Sequence, residues 1–142
     1  MGLWRYGKQF IDASRVLLDS TGKLTVSVPA YYLLCHGIEL TLKAYLRGAG
    51  RQLRDLKGLG HDLVKCYNEA KEEGVDRYCM LEEKHIVAIR LVNTYYATKE
   101  LEYISAGYKE FPEFSLLAEA GQMLVSCLKQ YCYERRSKLN EQ

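Results

Sequence analysis

A long apolar segment at residues 29–49 constrains the fold of this chain more than any other feature. It carries one polar stripe, in which Tyr32, His36, Glu39 and Lys43 recur at helical spacing and therefore share a face. A helix that is apolar on nearly every other side is buried in a bundle, and burying charge is costly unless the charges are paired. The segment therefore predicts a buried helix whose polar stripe has a specific role.

Length and composition favour a single all-α domain. A chain of 142 residues is long enough for one domain with its own core, and 48% hydrophobic with 27% charged residues is ordinary for a globular protein. Only two prolines interrupt the long periodic segments. We expect an up-and-down bundle of about five helices over residues 1–137, followed by a frayed polar tail at 138–142.

Hydrophobic periodicity predicts where these helices lie. Ser27 is the expected N-cap of the second helix, and a short connector at 23–26 precedes it. We expect ordered loops at 48–60, which is rich in glycine and cations, and at 98–113. The expected helices lie near residues 3–18, 28–49, 61–74, 80–97 and 114–136, the first with Phe10, Ala13, Ser14, Leu17 and Leu18 on its inner face and the fourth with Tyr96 on its core side.

Cysteine and histidine usage gives no sign of a disulfide framework or a metal site. The five cysteines form no C-x-x-C pair, and their odd number argues against disulfides. The three histidines have no metal-ligand spacing, so we expect neither a metal nor another cofactor. The N-terminal segment lacks an apolar signal region and no run is long enough to span a membrane, so we expect no membrane association and a reducing cytoplasm.

The helix sequence YYLLCHGIELTLKAYL, followed after a loop by GHDL, resembles the HEPN family of prokaryotic helical-bundle domains. That family carries an E-x-x-x-K-A signature on its second helix and opens the next helix with H-D-L. The matching residues here are Glu39, Lys43 and Ala44, then His61, Asp62 and Leu63. The resemblance covers the first half of the chain best and implies a helical bundle that forms a homodimer.

The resemblance also implies candidate site residues. Many members are metal-independent endoribonucleases of toxin–antitoxin or antiphage systems, with an arginine and a histidine four to six residues apart. Here six residues separate Arg54 from His61. Arg54 would stabilise the charge on phosphorus and His61 would act as acid and base, with Glu39, Lys43 and Asp62 orienting them.

The sequence leaves open the roles of His61 and of two further groups of residues. Arg47, Arg51 and Lys57 flank Arg54 and either contact a nucleic-acid backbone or form a solvated loop. His61 either acts in catalysis or has a structural role, paired with the Glu39–Lys43 stripe. The second half has a run of aromatics around one cation, which we interpret as a dimer interface in preference to a base-stacking surface: Tyr95, Tyr96, Lys99, Tyr103 and Tyr108.

Three functional hypotheses remain. The first is a HEPN-like protein that acts on RNA, as a metal-independent endoribonuclease in a toxin–antitoxin or defence system with an antitoxin as partner. The second is a non-catalytic module that binds a nucleotide or a protein, such as a nucleotidyltransferase. The third is a structural dimer without a ligand. A net charge of +2 gives no overall electrostatic footprint for nucleic acid, so any such signal must be local.

Overall fold

The computed structural model describes residues 2–21, 27–103 and 107–140, and the side chains of all of these except 19–21, 139 and 140. The described residues form six α-helices and one short 3₁₀ helix, so the predicted all-α bundle is confirmed. The helices are α1 (Gly2–Thr21), α2 (Val28–Gly48), α3 (Leu53–Gly58), α4 (Leu63–Glu72), α5 (Glu83–Tyr96) and α6 (Phe114–Asn140), with the 3₁₀ turn at Val75–Arg77.

The apolar helix α2 is the centre of the bundle and packs against each of the other five α-helices. Its start follows the prediction, because the Ser27 hydroxyl accepts a hydrogen bond from the Ala30 amide at 3.3 Å and Pro29 occupies the first turn. Leu34, Ile38 and Leu42 are fully buried along it. Whatever α2 carries on its polar face is therefore placed inside the protein.

Helices α1 and α2 are antiparallel and approach each other closely at two glycines, Gly7 and Gly37. A methyl group added at Gly37 would lie 2.5 Å from Cγ1 of Ile11 and 2.8 Å from the Gly7 carbonyl oxygen. One added at Gly7 would lie 2.5 Å from the Thr41 hydroxyl. The absence of side chains at these two positions lets the two backbones approach closely.

The buried face of α1 differs from the predicted one. Ala13 is exposed, whereas Trp4, Ile11 and Ser14 are buried. Together with Gly7, the buried positions recur every three or four residues along the line of closest approach to α2. The prediction is confirmed for Ser14 and wrong for Ala13, because it followed the apolar residues and missed the glycine that brings the helices together.

The segment predicted to be a loop at 48–60 contains helix α3. Its N-terminus is closed by a capping box, in which the Gln52 amide donates to the Asp55 carboxylate at 2.9 Å. Leu56 anchors the helix, at 4% exposure. The loop prediction relied on the flanking glycines and missed this local cap. The predicted connector at 23–26 lies outside the described residues.

The later helices lie close to their predicted positions. Helix α6 continues to Asn140 beyond its predicted end at Arg136, because residues 134–138 include strong helix formers. Residues 141–142 of the predicted tail lie outside the described residues. All five cysteines are free thiols. Among the described helices, none combines the length and the apolar character needed to cross a membrane.

Candidate functional site

The polar stripe of α2 has a buried ion pair at its C-terminal end. Lys43 Nζ lies 2.7 Å from Glu39 Oε1, and the two residues are 8% and 2% exposed. Lys43 also donates to the Gly60 carbonyl at 2.8 Å. Pairing and hydrogen bonding are what make the burial of two charges tolerable. The pair therefore ties α2 to the turn that precedes α4.

The second oxygen of the Glu39 carboxylate, Oε2, is surrounded by three other polar side chains. The Tyr96 hydroxyl donates to it, His61 Nδ1 lies 3.0 Å away and His36 Nδ1 lies 3.8 Å away. Burial alone raises the pKa of Glu39, but hydrogen bonds from His36, Lys43, Tyr96 and His61 outweigh it and lower the pKa to about 2. Glu39 is therefore an anion at neutral pH. We call these five residues the Glu39 cluster.

The ionised carboxylate determines the tautomers of both histidines. Because Glu39 can only accept hydrogen bonds, His61 Nδ1 must carry a hydrogen at 3.0 Å from Oε2. The Tyr96 hydroxyl gives its hydrogen to Glu39, so the 3.2 Å contact between His36 Nδ1 and the Tyr96 oxygen requires a hydrogen on that nitrogen too. Burial and the charge of Glu39 raise the pKa of Tyr96, which keeps its phenol neutral. Each neutral imidazole thus keeps its lone pair on Nε2.

The exposed part of the Glu39 cluster consists of imidazole. The side chain of His61 is 44% exposed and that of His36 is 22% exposed, whereas that of Glu39 is 2% exposed. A half-exposed imidazole held by a buried carboxylate is suited to general acid and base catalysis, because its orientation is fixed and one nitrogen remains for the substrate. The site can therefore move protons at the protein surface.

Aromatic rings from three helices surround the two imidazoles. His36 packs edge-on against Phe10 of α1 at 4.6 Å between ring centroids and lies parallel to Tyr32 at 6.2 Å. Tyr96 of α5 packs at 6.0 Å from His61, and the two imidazole centroids are 6.3 Å apart. These rings give the buried part of the cluster apolar neighbours, which strengthen its electrostatic interactions.

The start of α4 holds His61 in place. Asp62 is the N-cap of α4 and accepts a hydrogen bond from the Lys65 amide at 3.0 Å. Asn93 of α5 donates to the Asp62 carboxylate at 3.0 Å and accepts from the Leu63 amide at 2.8 Å. Asp62, which the sequence predicted to orient the site, thus fixes the backbone next to His61 by capping α4. Asn93 was missed, since nothing local distinguishes it from a surface amide.

The Glu39 cluster also contains a set of metal-ligand atoms. One atom each from His36, Glu39 and His61 lies within 4.8 Å of the others. Sequence spacing did not reveal this set, because His61 follows Glu39 by 22 residues and only the fold brings it back to α2. Two imidazole nitrogens and a carboxylate oxygen are ligands that first-row transition metals accept.

The cations between residues 47 and 57 have different environments in the structure. Arg51 forms ion pairs with Glu69 of α4 at 2.8 Å and with Glu73, the C-cap of α4, at 3.0 Å. Arg47 donates to the Arg51 carbonyl at 3.0 Å, which braces the same turn. These two predicted nucleic-acid contacts therefore have structural partners within the protein.

Arg54 and Lys57 lie on α3 and are open to solvent. The Arg54 side chain is 82% exposed, and the nearest carboxylate oxygen described for it is that of Asp55 at 4.0 Å. Lys57 is also exposed. No described contact joins Arg54 to His61, the pair that sequence spacing matched. The structure thus places the two on separate elements, α3 and the turn before α4.

The tyrosine-rich second half divides into buried and exposed residues. Tyr96, predicted to lie both on the core side of α5 and in the aromatic surface, is 3% exposed and belongs to the Glu39 cluster. The Tyr95 hydroxyl accepts a hydrogen bond from the Glu110 amide at 2.6 Å. Tyr103 and Tyr108 are 69% and 92% exposed. The predicted aromatic surface is therefore wrong for Tyr96, because helical spacing turns it towards α2.

Comparison of the chain with protein-family models, with curated proteins and with solved structures finds no match.

Proposed function

We propose that this chain is a HEPN-like protein that cleaves RNA without a metal, with His61 as the acid and base group. The observation that carries the proposal is the 3.0 Å contact between the half-exposed His61 and the buried, ionised Glu39. The resemblance to the family supports it, since the signature residues Glu39, Lys43 and His61 meet in one cluster. These are the residues a proton-transfer site needs.

The reaction follows from the tautomers. Nε2 of His61 takes the proton of a ribose 2′-hydroxyl, and the resulting oxygen attacks the adjacent phosphorus. The bond from phosphorus to the 5′-oxygen breaks, and that oxygen takes a proton. We assign this second transfer to His36 in its doubly protonated form, which carries a hydrogen on Nε2 as well as on Nδ1, and whose ring centroid is 6.3 Å from that of His61. The products are a 2′,3′-cyclic phosphate and a 5′-hydroxyl end.

Binding of the RNA backbone is assigned to the exposed cations of α3. Within the part of the chain that the structure describes, Arg54 has no buried partner, and its exposed guanidinium can pair with a phosphate in a bidentate manner. Lys57 adds a second exposed charge on the same short helix. In this proposal Arg54 stabilises the charge that develops on phosphorus while His61 moves the proton.

The assembly and cellular setting are part of the same proposal. Tyr103 and Tyr108 expose large aromatic surface, of the kind enriched at protein interfaces, and we assign them to a homodimer contact. A metal-independent endoribonuclease of this kind fits a cytoplasmic toxin–antitoxin or defence system, with an antitoxin as its regulatory partner.

The test uses end-labelled single-stranded RNA with purified protein in EDTA, between about pH 6 and 8. We expect cleavage by the wild type and products that carry cyclic phosphate ends. His61→Gln and Arg54→Gln should each lower the rate by at least about a hundredfold, since one general base contributes about 10²–10⁴-fold and one charge-stabilising donor about 10²–10³-fold. Lys65→Gln, which removes an exposed cation on α4, is the matched control and should cleave as the wild type does.

A second candidate function is supported by the completeness of the hydrogen bonding. Both oxygens of the Glu39 carboxylate accept hydrogen bonds from protein side chains, and Arg54 lies beside Asp55 rather than in the cluster. Such a network suits a non-catalytic module that binds a nucleotide or a protein such as a nucleotidyltransferase. Intact RNA in the cleavage assay, together with saturable RNA or nucleotide binding that Arg54→Gln weakens, would favour this alternative.

A further inference from the structure

Three donor atoms of the Glu39 cluster are spaced for a single metal ion. His61 Nδ1 and His36 Nδ1 lie 3.0 Å and 3.8 Å from Glu39 Oε2. All three residues offer ligand atoms within 4.8 Å of one another. Ligands bound at about 2.0–2.1 Å in tetrahedral geometry lie about 3.3 Å apart, so side-chain adjustments of about 1 Å bring the set to bonding distance.

We propose that His36, Glu39 and His61 form a binding site for a divalent transition metal ion of the Zn²⁺ type. Two imidazoles and one carboxylate favour such an ion over Mg²⁺ or Ca²⁺, which prefer oxygen ligands. Glu39 would bind through Oε2 alone, because its other oxygen is held by Lys43 at 2.7 Å. The fourth position is left for water or for the nearby Tyr96 hydroxyl.

The hydrogen bonds around Oε2 indicate where the ion would lie. His61 and Tyr96 both direct hydrogens at that oxygen, and His36 Nδ1 lies near it. A cation can take the place of these hydrogens, since each neutral imidazole can move its proton to Nε2 and present Nδ1 as a ligand, and the Tyr96 hydroxyl can rotate its hydrogen away from Oε2. An ion can reach the site because the His61 side chain is 44% exposed.

Metal binding and RNA cleavage would use the same imidazole. His61 bound through Nδ1 carries its proton on Nε2 and cannot act as a base. The bound ion should therefore inhibit cleavage, and only this consequence rests on the proposed function. The metal site itself depends on the geometry of the three side chains.

Calorimetric titration of EDTA-treated, desalted protein with Zn²⁺ tests the site. The Cys127→Ser background removes the exposed thiol, which is a competing ligand. We expect one ion per chain, and a loss of at least about tenfold in affinity in His36→Ala and in His61→Ala. His61→Gln keeps a donor towards Glu39 but offers a poor ligand, so it should lose affinity to the same extent. Lys65→Gln is the control and should bind as the background does.

The outcomes separate the two proposals. Failure of Zn²⁺ to bind, or binding that none of the histidine variants weakens, overturns the metal site, whether or not RNA is cleaved in EDTA. Stoichiometric binding that requires both histidines supports the site even if RNA stays intact, in which case the proposed ribonuclease function fails alone. Visible absorption of a Co²⁺ complex without a thiolate charge-transfer band would provide independent support for nitrogen and oxygen ligands.

Discussion

Glu39 and His61 are joined at 3.0 Å between Oε2 and Nδ1, although one is 2% exposed inside α2 and the other is 44% exposed before α4. The position of a surface imidazole thus depends on a buried charge. That charge depends in turn on Lys43, its closest cation. The stability of the bundle and the chemistry of its surface are therefore coupled through one carboxylate.

Glu39→Gln should destabilise the protein strongly. The substitution leaves Lys43, at 8% exposure, without its counter-charge. Removal of one partner from a buried ion pair costs about 3–5 kcal/mol. We expect a decrease of that size in the free energy of unfolding, measured by urea denaturation at neutral pH.

A double-mutant cycle isolates the contribution of the pair. Lys43→Met removes the other charge, and the double variant with Glu39→Gln has no buried charge left unpaired. We expect the double variant to be more stable than the sum of the single effects implies. Strictly additive effects would show that Glu39 and Lys43 do not depend on each other.

Acid should lower the free energy of unfolding as the pH falls from about 4.5 to about 2. The pKa of Glu39 is lowered from 4.5 to about 2 in the folded protein, because hydrogen bonds to the anion outweigh its burial. The carboxylate therefore contributes stability that is fully present above its unfolded pKa and is lost as the pH falls towards about 2. The contribution is about 3 kcal/mol at neutral pH, at about 1.4 kcal/mol per pKa unit. Denaturation midpoints should decrease across this range.

The control for this acid effect is Glu39→Gln, which has no carboxylate at that position. Its unfolding free energy should depend less on pH between 4.5 and about 2 than that of the wild type. Equal pH slopes for the two proteins in this range would contradict the assigned role of the buried carboxylate.

Local periodicity was enough to predict three of the five residues of the Glu39 cluster, His36, Glu39 and Lys43. The spacing of Tyr32, His36, Glu39 and Lys43 placed them on one face of a buried helix, and the structure confirms an ion pair between the last two. The pairing of His61 with this stripe was one of two roles considered from the sequence, and the contact is present. These predictions succeeded because they depend on spacing within one helix and on the cost of burying charge.

The other contacts of the site depend on how separate helices pack. Tyr96 and Asn93 reach α2 and the start of α4 from α5, and no local pattern indicates such long-range partners. Helix α3 was missed for a different reason. Its six residues are too short for a periodic signal, and they are held by the capping box of Gln52 and Asp55 and by the burial of Leu56.

Gly37→Ala should destabilise the crossing of α1 and α2. Its new methyl group would lie 2.5 Å from Ile11 and 2.8 Å from the Gly7 carbonyl oxygen, so the backbones must separate. Overpacking of this kind costs about 1–3 kcal/mol, which exceeds the gain in helix propensity. Gly58→Ala is the matched control, because nothing lies within 4 Å of its added methyl group. Thermal melts should show a lower Tm for Gly37→Ala and an unchanged or higher one for Gly58→Ala.

Arg51 and Arg54 should have separable effects, although only two residues lie between them. Arg51 bridges Glu69 and Glu73, so Arg51→Gln should lower the free energy of unfolding by about 1 kcal/mol and leave RNA affinity nearly unchanged. Arg54 is 82% exposed, so Arg54→Gln should leave stability unchanged. If it contacts a phosphate, its loss should weaken RNA binding and reduce the slope of log K against log salt by about 0.7. Fluorescence anisotropy over a salt series measures both quantities. Weaker RNA binding in a stably folded Arg51→Gln variant, with unchanged binding in Arg54→Gln, would reverse this assignment and place the phosphate contact on the α4 side of the turn.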